Sequence, residues 1–595
     1  MRMDQGKLLK KPAGYAVLGT MGFLFFFCCL TGRDLAAEGN ILWTGAYLVR
    51  TLGLSLAAGA ALGGLVCVLF YRMAGSGGAA LEAGAASGKR WGGWLWARAS
   101  GRSPGRKALG GLVVLFLAWL PGFLAYYPAI CAYDMPIQTG QLMAGIYIDH
   151  HPIAHTLLLK GAVLLGENVF GNINAGIGCY ALVQMAFLAS SFAFGIWCLC
   201  RRRTRRIWLV LVALSGMLYP FHHYMSISVT KDTIFTAFFF LQVMSLLELI
   251  LGQEEWGEFP RGRLWGIYFF STVGMILFRN NGKYAFAVFL VLNLAAFLFG
   301  RKRRAVWGRL FLLSAAAFLA GSAALSGIYR AVGGQQGDRR EMLSLPIQQL
   351  ARVMVYHGGV DVLPEDDGTM EEKDKNLVDD FILNQAYRNY RPDFTDPVKS
   401  NVNTSVVRYR AGEFLSAYLG LFAQYPGDYV NAALAVNAGY LYPGDVTHAF
   451  VNAQEGQAAG GGYAQTRWDE GTLEEWGIHK DSRWPGLYAV MEGWADGNKY
   501  LDLPVLKYLF VPGVWVWLYL LLLGWLLLNR RFSRCLPLGI IFGYFLTLLL
   551  GPTVQLRYIY PMMAVFPFFL PAAWPMRRTG ALEDKGKQAG GQNDR

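Results

Sequence analysis

Charged residues occupy only 16% of the 595 positions, so most of the chain has few groups that need water. No alternating apolar–polar strand pattern is visible, which argues against a transmembrane barrel. No internal repeat is visible either. No cleavable signal peptide is evident: residues 15–31 have a basic flank and an apolar core, but read as a first membrane anchor. Cysteine is missing from the stretch 329–503. All eight cysteines (Cys28, Cys29, Cys67, Cys131, Cys179, Cys198, Cys200, Cys535) lie in or beside apolar segments. Folding of 329–503 therefore does not depend on disulfides, even in an oxidising compartment.

What the chain has in excess is apolar length. Hydrophobic residues make up 54%, and mean hydropathy is +0.31. Approximate runs at 15–32, 46–71, 108–128, 173–200, 207–226, 233–252, 264–281, 284–300, 307–328, 504–528, 536–553 and 558–576 approach or exceed the roughly 20 helical residues that cross a bilayer. In lipid a helix satisfies its own backbone groups. The fold class expected is an all-α polytopic membrane protein of about twelve spans.

Net charge is +14, yet its distribution excludes a nucleic-acid partner. Between positions 329 and 502 there are 15 Lys and Arg against 25 Asp and Glu; elsewhere there are 39 against 15. The basic excess sits in short clusters at helix ends, among them Arg201–Arg206, Arg301–Arg304 and Arg530–Arg534. By the positive-inside rule these mark the cytoplasm and put both termini there. Six parts are expected: an N-terminal pair of spans (1–72), a basic cytoplasmic linker (73–107), a transmembrane core (108–328) with a first outer loop at 129–172, an extracytoplasmic domain (329–503), three last spans (504–576) and a tail (577–595). The apolar stretch 154–166 contains Lys160, and counting it as a span would move Arg201–Arg206 outside; it reads as an amphipathic helix on the outer surface. Within the insert, 345–356, 370–384, 413–424 and 429–440 have helical spacing, whereas 460–497 reads as ordered loop.

Polar residues gather on the outer side, at the ends of different helices. Asp134 follows the third span, beside Tyr133 and Gln138. Asp149-His150-His151-Pro152 and His155 come next. Lys231-Asp232 open the sixth span, Arg279 to Lys283 lie between two spans, and Arg557-Tyr558 begin the last. Arg and Lys at a bilayer edge can hold phosphate oxygens. A carboxylate there can take a proton from an acceptor hydroxyl. Each residue also has a plainer reading. Lys231, Arg279, Lys283 or Arg557 alone could be a snorkelling interface marker, and Asp232 could cap a helix. The histidines could bind a divalent metal, although His-His-Pro-x-x-His does not match a known zinc pattern and no cofactor is required by the sequence. Asp134, a lone acid among apolar residues, has the weakest plain reading.

The order of these features resembles the GT-C superfamily: an acidic first outer loop, a His-Pro amphipathic stretch, a Lys-Asp helix start and a late Arg-Tyr-x-x-Pro. These are multi-pass glycosyltransferases that use polyprenyl-phosphate sugars, including the protein O-mannosyltransferase and aminoarabinose transferase types. The similarity is closest to bacterial members and covers roughly 108–330 and the last three spans. It implies Asp134 as catalytic base, and Lys231, Arg279, Lys283 and Arg557 as donor-phosphate ligands. Tyr133, Gln138, Asp149, His150, His151, Asp232 and Tyr558 would contact substrate. The expected partners are a polyprenyl-phosphate-linked sugar, membrane lipid, and a glycan, lipid or protein acceptor. Three departures are visible: Asp134 has no second acid until Asp149, the soluble domain precedes the final three spans, and two extra N-terminal helices, 15–32 and 46–71, shift the usual order in which the acidic loop follows the first helix. A transporter or flippase of lipid-linked glycans, or an envelope glycan polymerase or ligase, is the alternative.

Overall fold

Eleven of the twelve apolar runs centre on a single helix and one on a bent pair in the computed structural model, which describes residues 12–75, 103–131, 134–256, 262–300, 304–335, 337, 339–444, 473–496 and 499–573. Among these residues, nine helices are long and apolar enough to cross a membrane, as a multi-pass membrane protein requires. Eight of them carry expected runs: α1 (Pro12–Glu38), α2 (Gly45–Gly75), α3 (Pro104–Ala125), α6 (Ile173–Arg201), α9 (Lys231–Trp256), α11 (Asn280–Phe299), α12 (Arg304–Ala331) and α20 (Leu556–Ala573). Three more runs form shorter apolar helices of 16, 17 and 17 residues: α10 (Arg263–Phe278), α18 (Pro512–Leu528) and α19 (Phe532–Leu548). The run 207–226 is broken. Tyr219 is extended, Pro220 restarts the helix, and α7 (Arg206–Leu218) meets α8 (Pro220–Ile227) at 55°. Proline has no N–H to donate and disfavours helix at the residue before it, so the break is written into the sequence.

The ninth long helix is the stretch expected to lie on the surface. A short helix α4 (Met135–Met143) leads to α5 (Ile153–Leu165), which runs on through a π-turn to Phe170 and qualifies as a span by length and composition. It packs hard on α6. A Cβ added at Gly176 would lie 2.0 Å from Ala162 O, so only glycine permits this crossing. α1 and α2 cross in the same manner: a Cβ on Gly59 would lie 2.4 Å from Phe23 N. Small residues allow this backbone approach, which is how helices gain contact in lipid without a hydrophobic driving force. Almost all of α9 is buried, and it is the helix around which α6, α10, α19 and α20 assemble.

The stretch between α12 and α18 divides into two. In its first part, α13 (Ser344–His357), α14 (Glu372–Phe381), α15 (Ala411–Gln424) and α16 (Pro426–Leu441) surround a separate core that includes Ile347, Leu350, Val353, Val378, Tyr387, Leu421 and Tyr429. Burying a side chain such as Leu350 contributes about 1.5–3 kcal/mol. α16 also packs along α1 and α18, so this unit is seated on the spans. The second part belongs to the main core, through Leu473, Ile478, Ala495, Tyr500 and Phe510. The ordered loop expected over 460–497 is corrected in its last third, where Pro485–Asp496 forms α17, opened by a proline in its first turn. The rest of that loop up to 472, most of the 73–107 linker and the 577–595 tail lie outside the described residues.

Candidate functional site

The helix ends bring five charged residues together from four distant segments. Asp134 lies just before α4, in the loop after α3. Lys231 and Asp232 form the first turn of α9. Arg279 is the extended residue that joins α10 to α11, and Arg557 is in the first turn of α20. Lys231 Nζ donates to Asp134, and Arg279 donates to Asp232. Arg557 lies between the two carboxylates, 3.7 Å from Asp134 Oδ2 and 3.6 Å from Asp232 Oδ2. Thr230 Oγ1 donates to Asp232 at 3.3 Å. Gln555 fixes the Arg557 Nε at 2.6 Å, and the Tyr558 hydroxyl accepts from its other arm at 3.2 Å. Tyr558 also stacks under both guanidinium groups, 5.2 Å from Arg279 and 4.8 Å from Arg557.

Depth separates the members. Asp232 is fully buried, and Arg279 and Arg557 nearly so, whereas the Lys231 and Asp134 side chains keep 17% and 20% of their exposure. A ligand therefore meets Asp134 and Lys231 first, with the arginines behind them. Burial works to raise the Asp134 pKa, but Lys231, Arg557 and His151 hold its carboxyl well below the usual carboxylate range. Asp134 is ionised at neutral pH. The cluster thus sets three fixed cations against two carboxylates, an arrangement suited to a ligand anion.

Other sequence candidates are used differently. Asp149 is tied to the backbone: it accepts from Gly337 N, and its own N–H donates to Gln335 O at 3.2 Å, which pins the chain leaving α12. Its carboxylate, expected to contact substrate, serves the backbone here. His150 is exposed and only packs its ring on His151. Lys283, half-buried one turn into α11, forms no ion pair with any described residue. Tyr133 lies outside the described residues. His151 is 1% exposed, with Nδ1 3.9 Å from Asp134 Oδ2. Burial, with Lys231 nearby, pushes its imidazole down to about 3, so it is neutral. Among the described residues, no group of three or more His, Cys, Asp or Glu is placed to hold a metal ion.

Gln138 is not at the surface of the site but beneath it, in a buried chain of hydrogen bonds that the sequence reading missed. Gln138 bonds Thr156 and His155, both at 2.9 Å. His155 meets Tyr180 at 2.8 Å, Tyr180 meets Gln184 at 3.0 Å, and Gln184 donates to the carbonyls of Ser226 and Ser228. The chain runs from one turn past Asp134 to two residues before Thr230, so it ties the Asp134 arm to the Lys231 arm. The available signal was a row of polar residues on α5 and α6, where lipid would favour none.

Residues 127–587 match DUF6020, a family of unknown function, and the chain belongs to that family. No curated protein and no solved structure matches it.

Proposed function

We propose that this member of DUF6020 is a membrane glycosyltransferase. It moves a sugar from a polyprenyl-phosphate donor to an envelope glycan, lipid or protein acceptor at the outer face of the cell membrane. The observation that carries the reading is the convergence of Asp134, Lys231, Arg279 and Arg557 at one set of helix ends, with cations in excess. The donor phosphate would take Lys231, Arg279 and Arg557 as partners; as it leaves, its growing charge is what these cations stabilise. The acceptor hydroxyl would sit beside Asp134, the most open member of the cluster, and lose its proton there. In this reading both termini are cytoplasmic, and the unit built on α13 to α16 stands outside the membrane, close to the site.

The 55° break between α7 and α8 supports a second reading, because transporters build their sites on broken helices. One experiment separates the two. Purified protein in liposomes is given radiolabelled polyprenyl-phosphate sugars, with a cell-envelope fraction as acceptor. A glycosyltransferase releases polyprenyl phosphate and labels the acceptor. A flippase moves the intact donor across the bilayer with no bond cleaved, and that result would end the transferase reading.

A further inference from the structure

We infer that His151 is the group that takes the acceptor's proton, with Asp134 behind it as the carboxylate that orients the ring and balances the imidazolium. This rests on the glycosyl-transfer reading and deepens it by naming the proton acceptor, a role that sequence and resemblance give to Asp134.

The first observation is an unused pair of nitrogens. His151 is 1% exposed, yet neither ring nitrogen has a hydrogen-bond partner among the described residues. Buried polar atoms are nearly always paired, so an orphan next to a charged cluster points to a missing ligand. His155, four residues on, shows the contrast: both its nitrogens are satisfied, by Gln138 and Tyr180. The second observation is distance. Nδ1 stands 3.9 Å from Asp134 Oδ2, too far for a hydrogen bond but within the range that closes when substrate binds. Thirdly, that same Oδ2 already holds Lys231 and faces Arg557, so Asp134 has little basicity left to offer. Finally, the ring sits on a fixed backbone. The Tyr329 hydroxyl donates to His151 O at 3.4 Å, and Asp149 ties the preceding turn to Gly337.

The charged and titratable groups facing His151 are Lys231, Asp134, His150 and His155. Burial, and after it Lys231, oppose protonation in the resting protein. A bound phosphate takes up Lys231 as a partner, so the Lys231 share of that opposition falls and Asp134 is left to face the ring. In the step, the acceptor O–H gives its proton to an imidazole nitrogen, and the freed oxygen pair forms the bond to the anomeric carbon. The bond from that carbon to the phosphate oxygen breaks, and its electron pair leaves on the phosphate. The products are the glycoside, polyprenyl phosphate and an imidazolium paired with Asp134.

The test uses the full-length protein in liposomes with whichever polyprenyl-phosphate sugar the wild type consumes. A wild type that releases no polyprenyl phosphate sinks the transferase reading and this one with it. Given turnover, His151→Gln should lower kcat by about 10²–10⁴-fold and leave the donor KM within about twofold. In the unmodified protein, the rising limb of the pH–rate profile should shift with temperature as an imidazole does. A kcat for His151→Gln within about threefold of wild type overturns the inference. So does a limb that does not move with temperature, the behaviour of a carboxylate. If the glutamine variant does not fold, the limb measured on the unmodified protein decides alone.

Discussion

Replacing Asp232 by Asn removes the one carboxylate of the site that has no contact with water. Its volume is kept, so packing is not the variable. What changes is charge: Arg279, 7% exposed, loses the acid it donates to, and Arg557 loses a carboxylate 3.6 Å away. Removing one partner of a buried ion pair costs about 3–5 kcal/mol, because the remaining charge is left in a medium that cannot solvate it. The same change at Asp134 leaves a more open Lys231, and should come closer to the ~1 kcal/mol of partly exposed pairs. Thermal melts of the purified protein, followed by intrinsic fluorescence, should therefore rank wild type above Asp134→Asn, and that well above Asp232→Asn. The double variant Asp232→Asn/Arg279→Gln removes both charges and should recover part of the loss, a coupling of about 0.5–3 kcal/mol. The reasoning is refuted if Asp232→Asn melts with the wild type, or if the double variant is worse than the sum of its parts.

Three further outcomes are expected. His357 on α13 is caught between Asp367 at 2.9 Å and Asp428 at 3.0 Å; burial lowers its pKa, but these two hydrogen-bonded acids outweigh that and raise it above the usual 6.5. Its contribution is then fully present below about 6.5 and lost as pH rises through the raised value, so melting should fall across that window and His357→Gln should flatten the slope. Tyr180→Phe leaves His155 Nε2 and the Gln184 amide oxygen without their partner and should cost about 1–3 kcal/mol in the same melts. For the α1–α2 crossing, a chain cut between 41 and 44, which puts α1 and α2 on different pieces, and coexpressed as those two pieces should copurify. Gly59→Val, whose side chain meets Phe23 N, should separate α1 from α2 and weaken that association; undiminished recovery would show that the crossing is dispensable.

The helices were readable because lipid demands long apolar runs, and those runs need no tertiary information. The charged convergence was readable for a related reason: Asp134, Lys231, Arg279 and Arg557 each interrupt such a run at its end. Distinguishing neighbours was harder. Asp149 and Asp134 look alike in sequence, but Gln335 and Gly337, brought back by the exit of α12, give Asp149 its backbone partners. His150 and His151 are adjacent and their rings touch, yet one is exposed and the other buried, a difference that residue type cannot announce. The insert's division in two could not be read from composition, since Leu473 or Tyr500 would fit either core. Charge counting reads 154–166 as a surface helix, whereas the packing of Ile153–Phe170 on α6 depends on Gly176, whose meaning appears only once the partner helix is in place.

The loop between α1 and α2 has a consequence for how the chain is made. Asn40 accepts from Asn431 at 2.6 Å, and Arg352 donates to the Gly39 carbonyl; Asn431 also donates to Ile41 O at 2.9 Å, across 390 positions. At 5–20 residues per second, the ribosome needs roughly 20–80 s to supply that partner. Through that interval the first two helices have only each other, and the glycine crossing at Gly22 and Gly59 is what keeps them paired. Docking of α16 is therefore a late event in biogenesis. A pulse-labelled chain should acquire the α1–α16 contact only after α16 has left the ribosome, well after the first hairpin is inserted.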